Sequence, residues 1–237
     1  MTNMKTPISK TILLIIGLLS AGAISFAQTG DNYNILRRPG SLNFYLEASA
    51  AYINDGVKAD DVDIPSSLKN LFGSSLAFGW RIDEHQKIQL ESGYYTSSAT
   101  ANSNYDNWEY GTHKFTVDVM PVLFSYSYCL PLGDSGRYEL RLTPIVGFYS
   151  MKVKVTHEYI TNGVYNTDPD QTGSSTPFVY GVGVGFTWHF SRMFYADAGY
   201  RLIRRGGLTV GNGPYNAGAS VKSAFTNWLT VSIGWKL

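Results

Sequence analysis

Residues 178–190, Phe-Val-Tyr-Gly-Val-Gly-Val-Gly-Phe-Thr-Trp-His-Phe, alternate between two kinds of side chain along their whole length. Large apolar and aromatic residues occupy every even position, and most odd positions hold glycine or a polar residue. Successive side chains of a strand point to opposite faces of a sheet, so this period of two predicts a β-strand with two different faces. Gly181, Gly183 and Gly185 share one face of that strand, which disfavours the glycine turn before a helix that binds dinucleotides.

Seven further stretches show the same period of two, and no helical period of comparable length follows residue 27. The sequence therefore predicts an all-β chain with eight antiparallel strands. The apolar faces of the other seven strands run from Leu42 to Tyr52, Leu76 to Ile82, Ile88 to Tyr94, Phe115 to Tyr128, Tyr138 to Phe148, Phe194 to Leu202 and Leu229 to Leu237.

The connections between these strands alternate in length. Those after the second, fourth and sixth strands are short, near 83–86, 131–136 and 191–193, whereas those after the first, third, fifth and seventh are long, near 53–74, 97–112, 155–176 and 204–224. Short turns at one end and long loops at the other are typical of an up-and-down transmembrane barrel with periplasmic turns and extracellular loops. We expect both chain termini on the periplasmic side.

Two kinds of barrel share this strand pattern and differ in which face is outside. A soluble ligand-carrying barrel has its apolar face inside, and a membrane barrel has it facing lipid. Here the polar face is rich in glycine and in ionised groups, and aromatic residues recur near the strand ends, as in the girdles at lipid headgroups. These features favour an eight-stranded antiparallel up-and-down transmembrane β-barrel. The girdle residues are expected to be Trp80, Phe190, Phe194 and Trp235 at the turn side, and Tyr52, Tyr94, Phe178 and Tyr200 at the loop side.

Composition agrees with a barrel and disfavours other classes. The 237 residues are 44% hydrophobic and 16% charged, with 24 Gly, 17 Tyr and a net charge of +1. No overall positive field attracts nucleic acid, so no nucleic-acid partner is expected. The single Cys129 cannot form an internal disulfide, and the spaced Cys and His residues of a structural zinc site are absent from the sequence.

The N-terminus predicts export from the cytoplasm. Lys5 and Lys10 precede an apolar run that is followed by Ser25-Phe26-Ala27, the small-residue pattern of a signal peptidase site. The run is shorter than the roughly 20 residues of a spanning helix. The predicted organisation is a signal peptide over residues 1–27, a periplasmic N-terminal segment over 28–40 and a barrel domain over 41–237, located in the bacterial outer membrane.

The fourth strand contains an irregularity. Its apolar positions change from odd (Phe115, Val117, Val119) to even from Met120 onward, beside Pro121. Because proline cannot donate a hydrogen bond to a neighbouring strand, this pattern predicts a β-bulge at Pro121. The face of Asp118 stays open, and Cys129 is expected to point into the lumen.

The chain resembles the small eight-stranded outer-membrane barrels of Gram-negative bacteria, the OmpA/OmpX-type group and its porin-like relatives. The resemblance covers residues 41–237 and rests on the export signal, the alternation of strands and loops, Met120-Pro121-Val122-Leu123, the glycine-rich strand and the last strand. It implies that the outer-membrane assembly machinery reads the last strand, through Leu229, Val231, Ile233, Trp235 and Leu237. This chain ends in Leu237, where the family usually has Phe.

Ionisable residues on the predicted lumen face supply four acids and four bases. Charges in a confined interior persist when they are paired, and eight strands enclose space that side chains just fill. We therefore expect a plug of salt bridges, with an ion path as the alternative. The predicted lumen charge network is Glu47, Arg81, Glu91, Glu139, Arg141, Asp197, Arg201 and Lys236.

The long loops are the predicted working surface, because they carry aromatic residues among small polar ones, as recognition loops do. Solvation alone also explains that composition. Asp60, Asp61 and Asp63 lack the ligand spacing of a Ca²⁺ loop, so no metal and no cofactor are expected. The loop recognition candidates are Tyr105, Trp108, Tyr110, Arg204, Arg205 and Tyr215.

The resulting expectation is a non-enzymatic monomeric outer-membrane barrel with a plugged lumen and a recognition or structural role through its four extracellular loops. The alternative is a narrow porin-like channel for small solutes or ions, and a lipid A-modifying enzyme is disfavoured because no catalytic constellation appears among the histidines. The expected partners are outer-membrane lipid and lipopolysaccharide, the assembly machinery with periplasmic chaperones, and an extracellular ligand that the sequence does not identify.

Overall fold

The computed structural model describes residues 43–55, 69–105, 109–133, 136–161, 164–167, 171–206, 208–209, 220–221 and 223–237. The predicted signal peptide (1–27) and N-terminal segment (28–40) lie outside these residues. The strands are β1 (Phe44–Asp55), β2 (Asn70–Arg81), β3 (Gln86–Tyr105), β4 (Glu109–Leu132), β5 (Tyr138–Thr161), β6 (Val164–Thr167), β7 (Gln171–Ser175), β8 (Phe178–His189), β9 (Phe194–Arg205), β10 (Leu208–Thr209), β11 (Ser220–Val221) and β12 (Ala224–Lys236). No helix in these ranges is long and apolar enough to cross a membrane.

Eight of the strands form a closed barrel. The order around it is β1, β2, β3, β4, β5, β8, β9 and β12, every neighbouring pair is antiparallel, and β12 pairs with β1 to close the ring. This arrangement confirms the predicted eight-stranded antiparallel up-and-down barrel. Closure leaves no unpaired sheet edge in the barrel, which is the condition for a β-structure in lipid.

The two ends of the barrel differ, as the connection lengths predict. The short connections after β2, β4 and β8 share one end, which we call the turn end, and the opposite end is the loop end. In the turn after β4, Gly133 and Gly136 have φ of 69° and 60°, a backbone region that side chains with a Cβ rarely adopt.

The outer face of the barrel is apolar around its middle and at its turn end. Leu76, on the outer face of β2, is 72% exposed, and Leu90 on β3 and Val184 on β8 are each 54% exposed. The opposite positions, such as Glu91 and Thr187, are buried. The faces therefore follow the membrane-barrel assignment, because an interior-apolar barrel would show the reverse.

The predicted bulge at Pro121 is wrong. Pairing of β4 with β3 stops opposite Met120 and Pro121 and then resumes with the same offset, since Ser92 pairs with Val122 and Tyr95 with Val119. Pairing of β4 with β5 also keeps one register through Pro121. Proline interrupts the hydrogen bonds to β3 without inserting an extra residue.

The apolar positions change because the surroundings of the strand change. Val117 and Val119 point into the barrel and are buried, whereas Lys114 and Asp118 are on the outer face. On β5 the outer face likewise changes from Val146 and Phe148 to Lys152 and Lys154. We call this level the polarity boundary, and it settles the open face of Asp118 as the outer one.

On the turn-end side of the polarity boundary, β5 has the length that a membrane requires. The lipid-type outer face of β5 runs from Tyr138 to Phe148, which matches the roughly 9–11 residues of a tilted membrane-spanning strand. However, β3, β4 and β5 contain 20, 24 and 24 residues. Their extra length replaces much of the loops predicted at 97–112 and 155–176 with strand, which is a correction of those boundaries.

The extra length forms a projecting sheet. Beyond the polarity boundary, β3, β4 and β5 stay paired, and the free edge of β5 pairs with β7 at Met151 to Val155 and with β6 at Glu158 to Thr161. We call these parts of β3, β4 and β5 together with β6 and β7 the loop-end sheet. In the last long connection, β10 and β11 form a separate two-stranded hairpin.

Candidate functional site

At the turn end of the interior, one carboxylate holds two basic groups. Glu139 of β5 accepts hydrogen bonds from Arg81 at 2.8 and 3.2 Å, and its Oε1 lies 2.9 Å from Nε2 of His189. Lys236 is close enough to interact electrostatically with Arg81 and Glu139. His189 was not among the predicted network residues, although its odd position in the glycine-rich strand places it on the lumen face.

Two further ion pairs cross the middle of the interior. Arg201 of β9 donates to Glu91 of β3 at 2.8 Å, and Ser75 donates to the other oxygen of Glu91, also at 2.8 Å. Arg141 of β5 donates to Asp197 of β9, which also accepts a hydrogen bond from Thr187 at 2.6 Å. Because each pair joins different strands and is hydrogen-bonded further, it satisfies the condition for charges in a low-dielectric interior.

Glu47 lies in an aromatic part of the same interior. The hydroxyl of Tyr195 donates to it at 2.9 Å, and Lys87 Nζ lies 5.2 Å from the ring centroid of Tyr45 and 5.7 Å from that of Tyr195. These distances permit cation–π attraction. Lys87 was missed in the sequence because it stands at the start of its strand, but its odd number shares the parity of Gln89 and Glu91.

An apolar layer fills the interior on the loop-end side of these charges. Trp228 is fully buried at its centre, with the ring centroids of Tyr95 and Tyr149 at 5.2 and 6.2 Å. Leu71 and Ile203 are fully buried in the same cluster. Sequence reasoning missed this layer because Val117 and Val119 were assigned to a shifted outer face. We call the charged part of the interior, on the turn-end side of this apolar layer, the ion-pair layer.

The outer face carries aromatic residues at both edges of its apolar band. Near the turn end, Phe194 stacks on Phe190 and Trp235 with ring centroids 6.4 and 6.2 Å apart. Near the polarity boundary, Tyr94 donates to Asp118 at 2.6 Å and Tyr200 donates to Asn227 at 2.5 Å. An aromatic ring in lipid with its hydroxyl in a polar zone is the arrangement of membrane-interface residues.

The last strand presents one continuous apolar row to the outside. Leu229, Val231, Trp235 and Leu237 are all exposed, and Ile233 lies between them on the same face. These are the residues predicted to form the assembly signal.

The recognition candidates separate into three groups. Arg204 lies on the outer face, with its guanidinium carbon 5.5 Å from the ring centroid of Phe225. Arg205 is a correction, because β9 continues to this residue and turns its side chain into the barrel, where it is 1% exposed. Only the backbones of Tyr105 and Tyr110 are described, in β3 and β4, and Trp108 and Tyr215 lie outside the described residues.

The tip of the loop-end sheet exposes residues that the sequence did not single out. Ile160 pairs with Tyr165 across β5 and β6, and Tyr165 is 61% exposed. A hydrogen bond to Glu158 raises the pKa of Tyr165 above its ordinary value. Val164 is 59% exposed beside it.

Two other expectations concern chemistry rather than shape. Cys129 is a free thiol that is fully buried in the interior near the turn end. Among the residues that the structure describes, no three His, Cys, Asp or Glu side chains are grouped as metal ligands.

Comparison with known proteins gives similarity at the level of architecture. No protein-family model matches the sequence, and no curated protein does. The chain is similar to the solved structures of Neisserial surface protein A (15% identity, TM-score 0.45, 82% of this chain and 97% of that one), Ail of Yersinia pestis (13%, 0.40, 83% and 100%) and OprG of Pseudomonas aeruginosa (10%, 0.42, 83% and 96%). By its own strand order, closure and outward apolar band, this chain is an eight-stranded β-barrel of the outer-membrane type.

Proposed function

We propose that this protein resides in the bacterial outer membrane with a closed lumen and acts at the cell surface through its loop end, in a recognition or structural role. The observation that carries the proposal is the division of the interior into two filled layers. Buried ion pairs occupy the part nearer the turn end, and the cluster around Trp228 occupies the part nearer the loop end. A path for ions would have to cross both layers.

The outer face supports the location. A band of exposed apolar side chains edged by aromatic rings is stable in a bilayer and would be an aggregation hazard in water. In the proposed orientation, the turn end faces the periplasm and the loop end faces the exterior, because long connections of such barrels are extracellular.

The loop-end sheet supports a role at the surface. It holds more strand than a membrane span needs, and β6 and β7 cover the edge of β5 that would otherwise stay unpaired. A paired sheet is more rigid than a free loop, so it presents Ile160, Val164 and Tyr165 in fixed positions. Exposed apolar groups on a rigid support are a common feature of binding surfaces.

A narrow channel is the second candidate, and the ion-pair layer favours it. Arg81 and Lys236 are only partly buried at the turn end, so charged groups line an entrance there. The apolar layer counts against conduction, because water and ions are excluded from a packed apolar interior.

Conductance of the refolded protein in planar bilayers tests the closed lumen. We expect no steady current from the wild type, and current from Trp228→Ala/Arg201→Ala, which removes the largest side chain of the apolar layer and one guanidinium group of the ion-pair layer. Val231→Ala, on the lipid face, is the matched control and should stay silent. A stable ion-selective current from the wild type would overturn the closed lumen and support the channel.

Complementation tests the surface role. In a strain lacking the protein, we would express either the wild type or a variant in which residues 155–171 are replaced by a two-residue Asn-Gly turn between the paired residues Lys154 and Thr172. The readouts are detergent sensitivity and adherence to serum-coated plastic. We expect the wild type to restore detergent resistance or adherence. The trimmed barrel, present at the surface in equal amount, should restore neither. Full restoration by the trimmed barrel would contradict a function through the loop-end sheet.

A further inference from the structure

A small polar cavity lies in the middle of the ion-pair layer. Its volume is about 10 Å³, close to the minimum of roughly 10–15 Å³ for one enclosed water molecule. The polar side chains that line it come from β3, β4, β5, β9 and β12, so the cavity lies inside the barrel. They are Gln89, Ser125, Arg141, Thr143, Arg201 and Thr230.

The lining has the chemistry of an anion site. It contains two guanidinium groups and several hydroxyl or amide donors, and no carboxylate is among the described residues that form its wall. Arg141, 7% exposed in its side chain, donates to Asp197 through Nη2 while its buried Nε has no hydrogen-bond partner. A buried donor without a partner carries a free-energy penalty that a bound acceptor would remove.

Two glycines make room for these arginines. Gly185 pairs with Arg141 and Gly183 pairs with Arg201 on the strands to either side of β8. A Cβ at residue 185 would lie 2.9 Å from Nη2 of Arg141, and one at residue 183 would lie 3.1 Å from Cγ of Arg201. The glycine face of this strand therefore lets both side chains lie flat along the wall, beside the cavity.

We infer that this cavity is a binding site for one small monovalent inorganic anion of the size of chloride, held between Arg141 and Arg201. The anion accepts a hydrogen bond from Nε of Arg141. It acts as a structural counter-ion within the folded barrel. The inference is independent of the proposed role at the cell surface.

Bromide is the probe for this site, because it replaces chloride and has a strong anomalous X-ray signal. Crystals of the full refolded protein, grown or soaked in sodium bromide, should show an anomalous peak inside the barrel between Arg141 and Arg201. A cavity that holds only water, or bromide bound only at surface lysines, would overturn the inference.

The matched variant is Glu91→Gln/Arg201→Gln, which removes one acid and one base and so leaves the net charge of the layer unchanged. We expect the interior peak to be lost in it. An equal peak in wild type and variant would identify an adventitious ion only and would also overturn the inference.

A second measurement needs no variant. The wild-type barrel should unfold at a higher urea concentration in sodium chloride than in sodium gluconate at equal ionic strength, because gluconate is too large for the cavity and screening of surface charges is the same. Equal midpoints in the two salts would contradict the site.

Discussion

The ring of Tyr195 lies over the backbone of Gly234 on the neighbouring strand, in the space that a Cβ of residue 234 would occupy. Tyr45 lies over Gly79 in the same way. Because glycine has no Cβ, both rings can lie flat against the backbone of the neighbouring strand. In this position Lys87 lies over the two rings, and the hydroxyl of Tyr195 donates a hydrogen bond to Glu47. The glycines on the lumen face thus determine where the aromatic side chains can go.

Gly234→Ala should therefore destabilise the barrel, although Ala normally stabilises a strand relative to Gly. Overpacking against Tyr195 is expected to cost about 1–3 kcal/mol of unfolding free energy. The measurement is urea unfolding in lipid vesicles. In a Tyr195→Ala background the ring is gone, and the same change should be neutral or stabilising by about 0.4–1 kcal/mol. An equal cost in both backgrounds would argue against the contact.

Arg201→Ala should leave Glu91 as a buried carboxylate without its cation, at a cost of about 3–5 kcal/mol. Arg81→Ala should cost less, because Glu139 keeps its contact with His189. Both are measured by unfolding and by leak current in bilayers. The control is Arg201→Leu/Glu91→Leu, which removes both charges and should unfold closer to the wild type than Arg201→Ala does. A double variant as unstable as the single one would contradict this account.

The loss of unfolding free energy caused by a lysine on the outer face depends on how deep that position lies in the membrane. Val231→Lys, in the middle of the apolar band, should destabilise the barrel by about 2–4 kcal/mol, since Lys is costly at the bilayer midplane. Thr116→Lys lies on the outer face beyond the polarity boundary and should change stability by less than about 1 kcal/mol. Unfolding in vesicles measures both. Equal losses of unfolding free energy in the two variants would place the polarity boundary elsewhere.

Orientation is testable with cysteine labels on intact cells, since the native Cys129 is buried and the wild type serves as the unlabelled control. A membrane-impermeant maleimide should label Tyr165→Cys and Trp108→Cys, and should leave Gln86→Cys and Gly133→Cys unlabelled until the cells are lysed. Labelling at the short turns from outside would invert the proposed topology.

Trp235→Ser/Leu237→Ser should leave the chain in the periplasm. Trp235 is 43% exposed and Leu237 is 51% exposed on the lipid side, so the change removes two apolar contacts with lipid together with part of the predicted assembly signal. Fractionation of cells measures the outcome. The control is Ser232→Ala, on the interior face of the same strand, which should insert normally. Wild-type outer-membrane levels of the double variant would count against the assignment.

Strand number, faces and topology could be predicted from the sequence because a period of two and the lengths of the connections are local signals. The lumen face of β8, β9 and β12 follows directly from alternate positions such as Asp197 and Arg201. Local patterns could not reveal which acid meets which base, because Glu91 and Arg201 are brought together only when the barrel closes.

The predicted bulge and the misplaced Arg205 have separate physical causes. A strand that leaves the membrane keeps its backbone geometry while its outer side meets water, so its apolar residues move to the inner side. At Val119 and Met120 this change of surroundings resembles an extra residue, which explains the predicted bulge. Arg205 was misplaced because the glycines that follow it, Gly206 and Gly207, obscure the end of its strand in the sequence.

The polarity boundary also constrains the order in which the protein is assembled. In the proposed orientation, Lys114, Lys152 and Lys154 lie beyond it on the outer face, so they have to cross the membrane before they reach water on the far side. Their passage is least costly while the upper strands are still unpaired and can travel through a water-filled or protein-lined route. We expect the cluster around Trp228, which joins side chains of several strands, to pack after that passage and to disfavour a return across the membrane. Packing of the apolar layer would then stabilise the inserted barrel against withdrawal from the membrane.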